Sequence, residues 1–233
     1  MASVITEVAA RLLRRETVAE GTMAFHFERP SGFAHRAGQN ALFKLAGDSR
    51  TLSIASAPHE PELMIATRMR DSAFKRVLKE AAPGLQVEID GPAGVMVLDE
   101  DPARPAVFLA GGIGITPFLA MARDAAHRRL PHRIALFYAN RRPQDAAFLE
   151  ELRGLEQRNP NYRLVAAMSE PPAGWNGEVG FINRAMLERH LPKPLEPVYY
   201  FAGPPAMAMA MQSMLAELGV AEADMRSEEF YGY

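Results

Sequence analysis

The periodicity of the chain switches at residues 99–105, Asp-Glu-Asp-Pro-Ala-Arg-Pro, and this switch limits the fold more than any single motif. Before it, short alternating or apolar runs at 22–28, 41–45, 50–55, 63–67 and 87–89 read as strands. Turn residues part them: Pro30-Ser31-Gly32, Ala37-Gly38, Gly47-Asp48, Pro58 and Pro83-Gly84. One helix interrupts at 72–81, with Ser72 as N-cap and Phe74, Val77 and Leu78 on one face. Many short strands punctuated in this way predict a barrel or sandwich. After the switch, strands at 106–110, 133–139, 163–167 and 198–202 alternate with helices at 117–129, 144–157, 183–190 and 205–218. That alternation predicts a parallel sheet covered on both faces. The expected class is α+β in two domains: an antiparallel β-barrel over 1–101, then an α/β parallel-sheet domain over 102–233.

Composition removes several classes of function. With 48% hydrophobic residues among 233, the chain can bury a core. A net charge of −2 gives no reason to expect nucleic acid as a partner. No run is long and apolar enough for a membrane span, and the N-terminus lacks the parts of a signal peptide, so a cytoplasmic protein is expected. There is no cysteine. Disulfides, thiol nucleophiles and Cys-ligated iron–sulfur clusters are thereby excluded, and any iron–sulfur partner is expected on another polypeptide. The histidines at 26, 35, 59, 127, 132 and 190 form no H-E-x-x-H pair, and no metal site is expected.

Two strand-to-helix crossings carry glycine. The first is Gly111-Gly112-Ile113-Gly114-Ile115-Thr116-Pro117. Its glycines permit a tight turn and bare the backbone, and Pro117 suits a first helical turn. The free N–H groups and positive dipole end there suit a diphosphate; packing of helix on strand is the other use of such a turn. The second is Gly203-Pro204-Pro205-Ala206-Met207. Both fall at carboxyl ends of expected parallel strands, where open α/β sheets bind ligands. Asn140-Arg141-Arg142 ends the second strand of this half, with arginine where an acid would favour NAD; arginine there can accept the 2′-phosphate of NADP, or form a solvated basic loop. In the first half, Arg50-Thr51-Leu52-Ser53 puts a cation and hydroxyls on one strand, and the Ser72-Ala73-Phe74-Lys75 helix start offers a second place for phosphate. The aromatic terminus Phe230-Tyr231-Gly232-Tyr233 suits a planar partner or a core.

Together these segments resemble the ferredoxin–NADP reductase superfamily of flavoproteins over essentially the whole chain. Arg50-Thr51-Leu52-Ser53 matches its Arg-x-aromatic-Ser/Thr flavin motif, and Ala37-Gly38-Gln39 its Pro-Gly-Gln turn. Gly91-Pro92-Ala93-Gly94 resembles the Gly-Pro-x-Gly closing the barrel. Residues 111–117 match the nicotinamide-nucleotide diphosphate loop, and Gly203-Pro204-Pro205-Ala206-Met207 the Gly-Pro-x-x-Met turn. Two departures stand out: Leu52 replaces the usual Tyr or Phe, and Ala202 replaces the Cys that many members have before Gly-Pro.

The resemblance implies FAD, with FMN as the alternative, and NADPH, with NADH as the alternative. Arg50, Thr51, Leu52, Ser53, Ile65, Thr67, Ser72, Ala73, Phe74 and Lys75 would hold the flavin. Gly112, Gly114, Ile115, Thr116, Pro117, Asn140, Arg141, Arg142, Gly203, Pro204 and Met207 would hold the nucleotide. Ser53 would bond flavin N5, Glu228 or Glu229 would relay its proton, and Tyr233 would cover the ring. The implied reaction is hydride passage between NADPH and FAD, with electrons exchanged with a carrier such as ferredoxin or flavodoxin. The basic stretch 68–79 suits an acidic carrier. A reductase component of an oxygenase, a ferric reductase, or a nucleotide-binding regulatory module without turnover are the other readings.

Overall fold

The computed structural model describes residues 6–229. Two six-stranded sheets follow one another along the chain. The first is antiparallel, in the order β4-β3-β6-β1-β2-β5. Its strands are β1 (Thr6–Ala19), β2 (Thr22–Glu28), β3 (Asn40–Leu45), β4 (Asp48–Ser53), β5 (Glu62–Arg68) and β6 (Gln86–Ala93), with α1 (Ala73–Glu80) between the last two. The sheet curls into a barrel. Just beyond β4, Ala55 N donates to Met64 O at 2.7 Å and draws the edges β4 and β5 together. Phe25, Phe27, Phe43, Leu63 and Ile65 fill the interior, and α1 plugs it with Phe74 and Leu78.

The second sheet is parallel at every pairing, in the order β10-β9-β8-β7-β11-β12. Its elements are β7 (Ala106–Gly111), α2 (Ile115–Arg128), β8 (Ile134–Asn140), α3 (Leu149–Arg158), β9 (Tyr162–Met168), β10 (Glu178–Val179), α4 (Arg184–His190), β11 (Val198–Gly203), α5 (Pro205–Leu218) and β12 (Met225–Glu229). The central pair β7 and β11 is buried at every position, which is why both read as unbroken apolar runs. The expected two-part fold is present.

Three differences from the sequence reading have physical causes. β1 is rich in Ala, Leu and Arg and shows weak alternation; β2 and β6 on its two sides make it a strand. β12 is polar and forms by pairing with β11, from Tyr199↔Met225 to Gly203↔Glu229. The helix expected from 144 starts at Leu149, because Pro143–Asp145 closes a 3-10 turn and Phe148 takes a left-handed φ of 61°.

The two sheets do not behave as beads on a string. Met64 and Ala66 of the barrel share one apolar cluster with Phe118 and Met121 of α2. Burying a side chain of that size contributes roughly 1.5–3 kcal/mol. Arg123 on α2 grips Glu151 through Nε and Nη2 (2.6 and 2.7 Å) and reaches Glu60 of the barrel loop at 3.3 Å. The connecting segment is tied as well: Arg226 Nη2 donates to Asp99 Oδ2 (2.8 Å), and Asp99 N donates to Tyr200 Oη (2.8 Å).

His35 makes this arrangement sensitive to acid. It is 7% exposed, with Nε2 3.1 Å from Ser56 O, and burial pushes its imidazole down to about 4. Arg29 also disfavours its charge, while Asp124 opposes the shift. Above pH 6.5 the ring is neutral whether folded or unfolded. As pH falls from there toward 4, only the unfolded chain takes the proton, so stability drops by about 1.4 kcal/mol per pH unit, or ~3 kcal/mol in all. Urea melts at pH 7 and 4.5 are expected to show this loss in the parent and a smaller one in His35→Gln.

Candidate functional site

β7 and β11 are neighbours in register, Ala110 opposite Ala202, and both end in glycine. After β7 the chain makes a 3-10 turn, Gly112–Gly114, into α2; after β11, Pro204 turns it into α5. The two turns touch. A Cβ on Gly114 would lie 2.2 Å from Ala202 O and 2.7 Å from Gly203 N, so only glycine fits. Gly112 differs: its φ is +54° and nothing lies within 4 Å of a Cβ there. Gly114 packs the turn, and Gly112 presents open backbone. The turn also lies against β5 of the barrel.

The other expected residues of this loop serve the turn. The Ile115, Thr116 and Pro117 side chains are buried, and Thr116 Oγ1 donates to Ile113 O at 3.1 Å. Met207 is half-buried over the junction, its sulfur 2.2 Å from where a Gly111 Cβ would sit and 2.9 Å from that of Gly203. Pro204 is exposed. Asn140, Arg141 and Arg142 follow at the carboxyl end of β8, one strand over. Asn140 is half-buried, and its side chain lies beside the buried Tyr138 hydroxyl.

On the barrel side, Ser53 ends β4 opposite Asn40. Ser53 is 2% exposed and its hydroxyl makes no hydrogen bond among the described residues. Asn40 Nδ2 donates to Glu228 Oε1 at 2.8 Å, across 188 positions of sequence. Glu228 Oε2 is likewise buried and unpartnered. Burial pushes the Glu228 carboxyl above its ordinary range, against the Asn40 amide and the nearby Ser53 hydroxyl, which favour its charged form. Ala202 lies in register with Glu228 on one side and Ala110 on the other. Ser53, Asn40 and Glu228 thus meet where the two sheets join. Glu229 pairs with Gly203 through its backbone. Tyr233 lies outside the described residues. Asn40 escaped the sequence reading; only its place just after the Ala37-Gly38-Gln39 turn could have flagged it.

The start of α1 gathers cations. Ser72 caps it, accepting from Lys75 N at 3.3 Å. Lys75 is 8% exposed and its Nζ donates to Arg68 O at 2.9 Å. Burial lowers its pKa, and Arg50 and Arg70 lower it further. Arg50 lies 6.0 Å over the Phe74 ring and pairs with Asp48. A buried ammonium with two guanidiniums around it suits an anion such as a diphosphate. The other expected flavin residues differ in burial. Ile65 and Phe74 are in the barrel core and Leu52 packs against it, while Thr51 and Ala73 are exposed. Thr67 is buried, its hydroxyl 3.5 Å from Arg68 O.

The residues present fit a flavin. A buried hydroxyl and a buried carboxyl oxygen without well-formed partners suit a polar ring edge, and the cations at a helix start suit a diphosphate. Among the described residues no cluster of His, Cys, Asp or Glu could hold a metal, and no helix is long and apolar enough to cross a membrane.

Residues 108–213 match the oxidoreductase NAD-binding domain family. The chain is 33% identical over 147 residues to NADH-cytochrome b5 reductase 1 of Neosartorya fischeri, which covers 60% of this chain and 48% of that protein. It therefore spans about half the length of the curated relative it matches. The Amycolatopsis cytochrome P450 reductase GcoB superposes with a TM-score of 0.88 at 24% identity, over 98% of this chain and 71% of that one. A ferredoxin NADP+ reductase from Neisseria gonorrhoeae, solved with FAD and NADP bound, superposes with a TM-score of 0.82 at 20% identity, over 96% and 98% of the two chains.

Proposed function

We propose that this chain, with its two-part fold and its match to the oxidoreductase NAD-binding domain family at 108–213, is a member of the ferredoxin–NADP reductase superfamily and an FAD-dependent NAD(P)H oxidoreductase. The meeting of the Ser53 hydroxyl with the Glu228 carboxyl, both buried at the junction of the sheets and short of well-formed partners there, carries this reading. When bound there, a flavin supplies the acceptor for a nicotinamide hydride and releases the electrons onward.

The chain's own residues would do the rest. Arg50, Lys75 and the start of α1 would hold the flavin diphosphate. Ser53 would donate a hydrogen bond to the ring edge. Asn40 fixes Oε1 of Glu228, leaving Oε2 to exchange a proton. Because burial keeps Glu228 protonated to higher pH than an ordinary carboxyl, it is suited to hold that proton. The open backbone at Gly112 would receive the dinucleotide diphosphate. Ala202, with no side chain beyond Cβ, leaves room for the nicotinamide.

The onward acceptor is proposed to be a separate acidic carrier such as ferredoxin or flavodoxin, meeting Arg70, Arg76 and Lys79, which are exposed at and beside α1. The test uses the full chain with FAD, each dinucleotide in turn, and ferricyanide as acceptor. Turnover that depends on added FAD supports the activity; turnover indifferent to FAD counts against it. With a protein carrier, rates are expected to fall as salt rises. A flat salt dependence would remove the docking surface.

A further inference from the structure

We infer that the adenosine end of the nucleotide site selects NADH over NADPH, because Asp145 already holds the arginine that a 2′-phosphate would need. The inference rests on the nicotinamide-nucleotide reading above and deepens it. The carboxyl end of the second strand of an open α/β sheet is where the adenosine ribose meets the protein. Here that strand is β8, and Arg141 and Arg142 follow it directly. Read without their surroundings, two adjacent arginines suit the 2′-phosphate of NADPH.

The surroundings reverse that reading. The Pro143–Asp145 turn folds the carboxylate of Asp145 back under the arginines. Arg142 Nε donates to Asp145 Oδ2 and Nη2 donates to Oδ1, each at 3.0 Å. This is a two-pronged, charge-assisted pair on a carboxylate whose side chain is only 5% exposed. Arg142 Nη2 also reaches Glu20 Oε2 at 3.1 Å. Arg141 is the freer of the two, with its side chain 56% exposed; its Nε lies 3.6 Å from Asp145 and 3.8 Å from Glu170. Arg68 is the further cation acting on Asp145. Three cations therefore face three carboxylates, and the charge cancels.

A 2′-phosphate dianion entering here gains no net attraction. To recruit Arg142 it would have to strip Asp145 of its partner and leave a buried carboxylate beside the phosphate, an arrangement opposed by both desolvation and repulsion. A ribose 2′-hydroxyl meets neither obstacle. It can donate to a carboxylate such as Glu170, and it brings no second negative charge beside Asp145.

The test uses the full, FAD-loaded chain. Ferricyanide turnover is expected to give a kcat/KM for NADH at least about tenfold above that for NADPH. Asp145→Asn, which releases Arg142, is expected to move the ratio about tenfold toward NADPH. Should that variant unfold, Glu170→Gln tests the same charge balance from an exposed position and is expected to move the ratio in the same direction by a smaller factor. Equal or better use of NADPH by the parent overturns the inference, and so does a ratio that neither variant moves. Calorimetry with ADP-ribose and its 2′-phosphate separates the two levels of the argument. Binding of both with equal affinity overturns the NADH selectivity alone. Binding of neither overturns the nucleotide site itself.

Discussion

Ser53→Ala is expected to slow hydride transfer to bound FAD on the order of 10²-fold, while the apoprotein stays as stable as the parent or becomes more so. The two halves of that expectation come from one observation. The Ser53 hydroxyl is buried and has no well-formed hydrogen bond among the described residues, so its removal breaks at most its weak contact with the Glu228 carboxyl. An unsatisfied buried hydroxyl costs roughly 1–3 kcal/mol, and alanine relieves that cost. A donor aimed at a ring edge where charge develops belongs to the class of groups whose loss affects rate most. Stopped-flow flavin reduction reads the first half and thermal melting of the apoprotein reads the second. Loss of stability with unchanged reduction would mean that Ser53 is a packing residue. Glu228→Gln should leave the fold intact and slow reduction more at low pH, where the parent carboxyl holds the proton it would exchange, than at high pH, where the parent has lost it.

Gly114→Ala is expected to abolish dinucleotide binding and to cost about 3 kcal/mol of stability or more, whereas Gly112→Ala should weaken binding at a cost of only about 1 kcal/mol. At Gly114 the new Cβ would stand 2.2 Å from Ala202 O and 2.5 Å from its carbonyl carbon. These are backbone atoms of a fully buried strand, and they can move only if the β7–β11 pair opens. That movement would also carry Ala202 away from Glu228, which pairs with it on β12. At Gly112 a Cβ meets nothing, so the cost is the left-handed φ of +54° alone. The methyl group would nonetheless occupy the space proposed for the diphosphate. Thermal melts and ADP-ribose titrations of the two variants distinguish a packing glycine from a ligand-facing one. Equal behaviour of the two would contradict the division of labour proposed for the turn.

The legible part of this molecule is the part governed by local pattern. Alternation marked β2, short apolar runs between turn residues marked β3 and β5, longer apolar runs marked the buried β7 and β11, and glycines with a nearby proline marked both helix entries. β1 and β12 were not legible, because their strand form depends on neighbours far along the chain. The candidate site divides in the same way. Ser53 and Gly112 stand inside motifs. Asn40 gains its place only when the barrel brings it to Glu228, and Asp145 only when the 3-10 turn folds it under Arg142. The paired arginines show the limit most clearly: the sequence displays two charges, and their neutralisation is a property of the fold.

The most direct test of the central claim is an anaerobic titration of the purified, FAD-loaded chain with NADH, followed by its visible absorption. The account predicts stoichiometric bleaching of the flavin, slowed in Ser53→Ala and absent in Gly114→Ala. A chain that binds FAD and dinucleotide yet leaves the flavin oxidised would contradict it.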